Sequence, residues 1–213
     1  VKIREDGLVY RVDVVGGQKT GFYLHQRDNR RIVRGHARGR RVLNAFCYTG
    51  GFTLAAVAGG ATEARSSDSA AGAIGLARSN LAANPAIASS SARWRTADVF
   101  SELRALRNAG ETFDLVVLDP PKFAPTAASA ARAASAYKDI NLLAWKLLTP
   151  GGLLATFSCS GGIDAALFRK IVAGAAVDAR CEATIVARLG AGADHPLALL
   201  FPEGEYLKGL LLQ

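Results

Sequence analysis

The chain has 213 residues, half of them apolar, enough to bury the core of one α/β-sized domain and too few for two full domains with a linker. Its 26 Lys and Arg against 18 Asp and Glu leave a net +8 and a pI near 9.8, which suits a polyanionic partner without identifying one. Cys47, Cys159 and Cys181 lack zinc-type spacing, no leader-like stretch opens the chain, and no apolar run approaches the ~20 residues of a membrane span. The expectation is a reduced, cytoplasmic protein with no metal site and no membrane partner.

Residues 8–15 (LVYRVDVV) alternate as a half-buried strand, Gly16-Gly17 supply a turn, and 20–26 (TGFYLHQ) read as the returning strand, which predicts a β-hairpin. Arg27 to Arg41 then concentrate positive charge. That stretch reads either as a track for phosphates or as a solvated Arg-rich helix and turn. Residues 1–40 are thus expected to form a hairpin with an Arg-rich connector ahead of a domain spanning 41–213. From Arg41 onward short apolar strands alternate with Ala-rich helical stretches, the pattern of βαβ units. Strands are predicted near 42–46, 63–68, 93–98, 113–119, 152–158, 181–188 and 205–212, and helices near 51–58, 69–83, 99–109, 135–148 and 163–179. Loop and turn signals at His195-Pro196 and Phe201-Pro202-Glu203-Gly204 leave no helix between the last two strands, so these are expected to pair antiparallel. The fold class is α/β: a seven-stranded, mainly parallel sheet with an antiparallel last strand, preceded by a hairpin. The segment 123–136 (FAPTAASAARAASA) is either a loop over a site or the start of a helix.

In an open parallel sheet ligands bind beyond the carboxyl ends of the strands, so residues there are the candidates. The first end reads VLNAFCYTGGFTLAA, where Thr49-Gly50-Gly51 let the backbone approach a ligand, or simply satisfy a strand-to-helix turn; the dinucleotide fingerprint is absent. Asp68, about twenty residues on, ends the second strand where a carboxylate accepts hydrogen bonds from ribose hydroxyls, although capping the next helix is the commoner role. Asp98 in TADVF ends the third strand and reads as an acceptor for an adenine amino group or as an N-cap. Together these ends describe a nucleoside cofactor lying across the sheet. The fourth strand runs into Asp119-Pro120-Pro121-Lys122-Phe123, where consecutive prolines stiffen the turn and aim Asp119. The fifth ends in TFSCSGG, with Cys159 facing the same crevice: a nucleophile if its thiol is activated, otherwise a small hydrophobe. Cys181 and Cys47 read as structural.

These segments, NAFCYTGGF, TADVF, DPPKF, FSCSGG and HPLALLFPEGEYLKG, resemble the bacterial cytosine-5 methyltransferases of large-subunit ribosomal RNA over nearly the whole chain. The segment QKTGFYLHQRDNR is also similar to that family's approach to its catalytic domain, with His25 where Asp is expected. The resemblance implies a Rossmann-like class I methyltransferase with S-adenosylmethionine as cofactor and ribosomal RNA as partner, a homodimer being left open. It implies that Cys159 adds to C6 of cytosine so that C5 takes the methyl group, that Asp119 hydrogen-bonds the base at N3 and its amino edge, and that Lys122 steadies a phosphate or the thiolate. By the same resemblance Phe46, Tyr48, Thr49 and Gly50 line the methionine side of the cofactor, Asp68 its ribose, and Asp98 and Val99 its adenine, with Ser69, Asp119 and Pro120 completing the set. The target base must leave its stack, and Phe123 and Tyr137 are candidates to stack on it or to belong to the core. Relatives usually carry an RNA-binding PUA domain ahead of the hairpin, where this sequence begins; it reads as a catalytic fragment or a shortened relative. Two other readings stay open: a related enzyme acting on guanine or a small molecule, with Cys159 idle, and a non-catalytic RNA-binding module on the same scaffold.

Overall fold

Asp6 and Gly7, both at positive φ (51° and 83°), form the tight turn that folds β1 (Lys2–Glu5) back on β2 (Leu8–Arg11) as an antiparallel hairpin. The computed structural model that places them describes residues 1–17, 21–87, 91–123 and 130–213. A hairpin therefore does precede the sheet, but with other strands than 8–15 and 20–26. The first of those segments stops early because the Asp13 carboxylate accepts the amides of Val15 and Gly16 at 3.1 and 2.9 Å and bends the chain. The second holds a 3-10 turn, Leu24–Gln26, and residues 18–20 lie outside the described residues. The free edge of β2 is covered by side chains: the amides of Asn80 and Asn84 accept from Arg11 N (2.6 Å) and Val9 N (2.8 Å), and Asn84 Nδ2 donates back to the Val9 carbonyl.

Seven strands form the main sheet: β3 (Arg41–Ala45), β4 (Glu63–Asp68), β5 (Ala92–Thr96), β6 (Phe113–Leu118), β7 (Leu148–Ser158), β8 (Ile185–Leu189) and β9 (Lys208–Leu212), in the spatial order β5-β4-β3-β6-β7-β9-β8. All pairs are parallel except those of β9, which lies antiparallel between β7 and β8. Residues 181–184 are not strand. Arg180 at φ 59° and the Cys181 amide on the Ala176 carbonyl close α6 (Ala165–Ala179) with a left-handed cap, which makes Cys181 structural as expected.

Both faces of the sheet are covered, as a buried parallel sheet requires. Along β6, Phe113, Val116 and Leu118 pack with α4 (Val99–Asn108), α5 (Ala130–Leu147) and α6, while Leu115 and Val117 pack with α1 (Arg27–His36) and α2 (Gly51–Ala58). Helix α3 (Ala71–Ala82) instead supplies Leu81 to a small core with Leu8, Tyr10 and Phe22 of the N-terminal segment. Of the segment 123–136, residues 130–136 are helical and 124–129 lie outside the described residues. Among the described residues no helix is long and apolar enough to cross a membrane. Strand order reverses between β3 and β6, so the crevice for a ligand opens where Phe46 and Asp119 leave the sheet.

Candidate active site

That crevice is a cavity of about 780 Å³. Phe46, Tyr48 and Thr49 line it from the β3–α2 turn, Asp68 and Ser69 from the end of β4, and Asp98 and Val99 from the start of α4. Asp119, Pro120 and Lys122 reach it from the turn after β6, and Cys159 from the end of β7. Of the catalytic and cofactor residues expected from the sequence, Gly50 alone stands behind the wall. At φ 83° it caps α2, and a Cβ there would lie 2.7 Å from the Trp94 ring and 3.1 Å from the Ala77 methyl, so only glycine lets this turn pass α3 and β5.

The turn is strained. Phe46 and Tyr48 hold φ values of 62° and 47°, a region bulky side chains rarely enter. What over-determines it is Asp68: one carboxylate oxygen accepts the Tyr48 amide at 2.8 Å and the other the Ala70 amide at 2.9 Å. Each oxygen keeps a lone pair for a further donor. Asp98 is both things the sequence allowed. Its side chain caps α4 by accepting the Ser101 amide at 2.9 Å, yet the residue also borders the cavity; hydrogen bonds from the Ser101 side chain and amide hold its carboxyl below the usual value.

The other half of the cavity is built from far-apart side chains. Buried Gln26 donates to Asp119 at 3.0 Å and is itself held by Asn29 Nδ2, which also donates to the Gly190 carbonyl. Burial pushes the Asp119 carboxyl up to about 7, against the opposing pull of the Gln26 hydrogen bond and the Arg30 charge. The Cys159 thiol donates to the Pro120 carbonyl at 3.8 Å, joining the ends of β6 and β7. Next to it, fully buried Ser160 ties the same turns: its hydroxyl accepts the Phe123 amide at 3.1 Å and meets the Tyr137 hydroxyl at 2.9 Å. Tyr137 is fully buried core, whereas Phe123 packs on it at 4.8 Å and also lines the cavity. Lys122 sits at the rim, its ammonium 5.7 Å from the Tyr206 ring centroid.

The sequence profile of the S-adenosylmethionine-dependent methyltransferases matches residues 1–196. The chain belongs to that family. It is 52% identical over 208 residues to the ribosomal RNA large subunit methyltransferase I of Tolumonas auensis and 51% over 209 residues to that of Photobacterium profundum. Each match takes in 98% of this chain and 52% of the relative, so the chain spans about half the length of the curated relatives it matches. Among solved structures, SMU.776, a candidate methyltransferase complexed with SAH, is 26% identical with a TM-score of 0.88 over all of this chain and 55% of that one. A methyltransferase candidate from Streptococcus mutans, 24% identical with the same coverage and a TM-score of 0.87, shares the fold.

Several arginines of the Arg-rich segment are tied down within the chain. Arg30, 4% exposed, clasps Glu5 of the hairpin with two nitrogens at 2.6 and 2.7 Å, donates to the Tyr23 carbonyl and stacks on Phe22. Arg31 pairs with Asp6, Arg27 with Asp194, and Arg41 with Glu63 and Glu111. Residues 27–36 form the Arg-rich helix α1, with Arg27, Arg30 and Arg31 paired rather than merely solvated. Sequence reasoning missed Gln26, Arg30 and Tyr23, all in contact with the site. Tyr23 packs edge-on to Tyr48 at 5.3 Å, and burial raises its phenol to about 12. The signal lies in the segment GFYLHQRDNR, whose residues up to Gln26 read as a strand and whose later residues read for their charge, leaving its polar neutral side chains unused. His25, where the resemblance calls for Asp, is buried and reaches the Tyr206 hydroxyl at 3.3 Å.

Proposed function

We propose that residues 41–213 are the catalytic domain of an RNA methyltransferase that forms 5-methylcytosine in large-subunit ribosomal RNA through a covalent adduct on Cys159, with residues 1–40 completing its pocket. The observation that carries this reading is the meeting of Cys159 and an acid of raised pKa, Asp119, across one turn of the same cavity that Asp68 and Asp98 border. The names of the large-subunit relatives support the substrate. The residues fit the family's cofactor: the unused lone pairs of Asp68 suit ribose hydroxyls, with Ser69 beside them, Asp98 and Val99 border the cavity where the adenine would lie, and Phe46, Tyr48 and Thr49 line it where the methionine end would lie, Gly50 setting their turn and Pro120 lining the far edge. S-adenosylmethionine, when bound, supplies an electrophilic methyl group.

The protein's part is to make the ring carbon nucleophilic. The Cys159 thiolate forms a bond to C6 of cytosine, and Asp119, protonated near neutral pH, gives its proton to N3, so no net negative charge is left on the ring as C5 gains electron density. After C5 is alkylated its proton passes to solvent, the S–C6 bond breaks and returns the electron pair to the Cys159 thiolate, and N3 returns its proton to Asp119. Lys122, at the rim, is suited to hold a phosphate of the everted nucleotide. The setting is the cytoplasm, where a thiol stays reduced; among the described residues the cysteines form no disulfide. Whether the protein works as a homodimer is read from its sedimentation. The test of the reading is transfer of labelled methyl from S-adenosylmethionine to large-subunit RNA, followed by nucleoside analysis. The label is expected in 5-methylcytidine and absent with Cys159→Ala; label in a guanine, or undiminished transfer by Cys159→Ala, overturns the reading.

A further inference from the structure

Lys208 is a buried cation that nothing above uses. It opens β9 opposite Ser158 of β7, is 9% exposed, and its ammonium donates to the Ser160 carbonyl at 2.8 Å, one residue from Cys159. Among the described residues no carboxylate forms an ion pair with it. A carbonyl needs only a neutral donor, and burying an ammonium for that purpose costs solvation. Burial does lower the pKa of Lys208, and the charge that most opposes this is that of Cys159, ahead of Asp164 and Glu205, while Lys122 adds to the lowering. Such coupling is reciprocal: an anion that holds a proton on the lysine is itself stabilised by the lysine.

We propose that Lys208 is a positioning residue that holds the positive charge for the Cys159 thiolate, keeping the nucleophile ionised before a base arrives. The proposal rests on the reading of Cys159 as the nucleophile. The other ionisable groups around the thiol do not supply that charge. Tyr23, before α1, Tyr137 of α5 and Tyr206, before β9, are phenols with raised pKa values. Asp119, after β6, is a carboxyl, as are Asp164 at the start of α6 and Glu205 before β9. Lys122 is exposed and therefore screened, Arg30, also on the cavity wall, is taken up by Glu5, and the His25 ring on that wall is engaged by the Tyr206 hydroxyl at 3.3 Å.

The experiment is the pH dependence of Cys159 alkylation by iodoacetamide, followed by peptide mass spectrometry, in the protein as it stands and in Lys208→Gln and Lys208→Arg. Glutamine keeps a donor for the Ser160 carbonyl and removes the charge. Its alkylation midpoint is expected to rise by about a pH unit, slowing the reaction at neutral pH about tenfold, while arginine leaves the midpoint within a few tenths of a unit. A Lys208→Gln curve that superimposes on the original overturns the proposal and leaves Lys208 as a hydrogen-bond donor to the turn. A second measurement needs no change at Lys208. The pH at which Lys208 becomes reactive to acetic anhydride should fall in Cys159→Ala, and an unchanged curve overturns the proposal equally. Undiminished methyl transfer by Cys159→Ala would instead sink the nucleophile reading, whatever the two labelling curves show.

Discussion

The two halves of the cavity satisfy their polar groups in opposite ways. On the cofactor side, Asp68 and Asp98 accept backbone amides from the turns around them, Tyr48, Ala70 and Ser101, so each carboxylate is held by its own local loop. On the acceptor side, Asp119 is held by Gln26, 93 positions earlier, and the turn beside Cys159 by Lys208, 48 positions after Ser160. Local hydrogen bonds stabilise ionised carboxylates, and Asp98, bound by the Ser101 side chain and amide, indeed lies below its usual value, whereas burial raises Asp119 to about 7. The half proposed to bind the cofactor is thus built by backbone, and the half proposed to react by burial.

That contrast can be broken by substitution. The largest effect is expected from Cys159→Ala, which should reduce methyl transfer by about a thousandfold or more while leaving calorimetric binding of S-adenosylhomocysteine unchanged. Lost binding would mean the two halves are not separable. Asp119→Asn should slow transfer by roughly a hundredfold. In the unaltered protein the rate should also fall as pH rises through about 7, where Asp119 gives up its proton, and the variant should lose that limb. The same proton bears on stability. The folded protein keeps it up to about 7 while the unfolded chain releases it near 3.8, so the contribution is full below the lower value and is lost as pH rises to the upper one. Thermal melts should show this slope flatten in Asp119→Asn. On the other side, Asp68→Asn should weaken S-adenosylhomocysteine binding about tenfold, the worth of a hydrogen bond to a charged acceptor, without moving the pH limb. The smallest effect is expected of Gln26→Leu: with its hydrogen bond gone, Asp119 should rise further and the limb move to higher pH by a fraction of a unit, and a limb that moves down would refute the role of Gln26.

The strand-end residues were legible because period and turn chemistry are local. Apolar runs such as FDLVVL announce a strand buried on both faces, and the polar residue that ends each run must lie at the sheet's carboxyl edge. The hairpin was displaced for an equally local reason. Alternation in LVYRVDVV points to Gly16-Gly17 as the turn, whereas Asp6-Gly7 makes it and the Asp13 carboxylate ends the strand early. Arginine-rich sequence likewise carries no sign of where its partners are: Arg30 looks like surface charge until Glu5 is brought against it.

By itself, the sequence determined the α/β class, the mainly parallel sheet with its antiparallel end, and that the strand-end side chains Asp68, Asp98, Asp119 and Cys159 face the crevice. Each of these follows from hydrophobic period and from residues within one turn of a strand end. Only the tertiary structure decided what surrounds those side chains: Gln26 on Asp119, Ser160 across the two turns, and a buried lysine from β9 beside Cys159. Burial and charge act through space rather than along the chain, so the groups that set reactivity come from segments that no local pattern brings together.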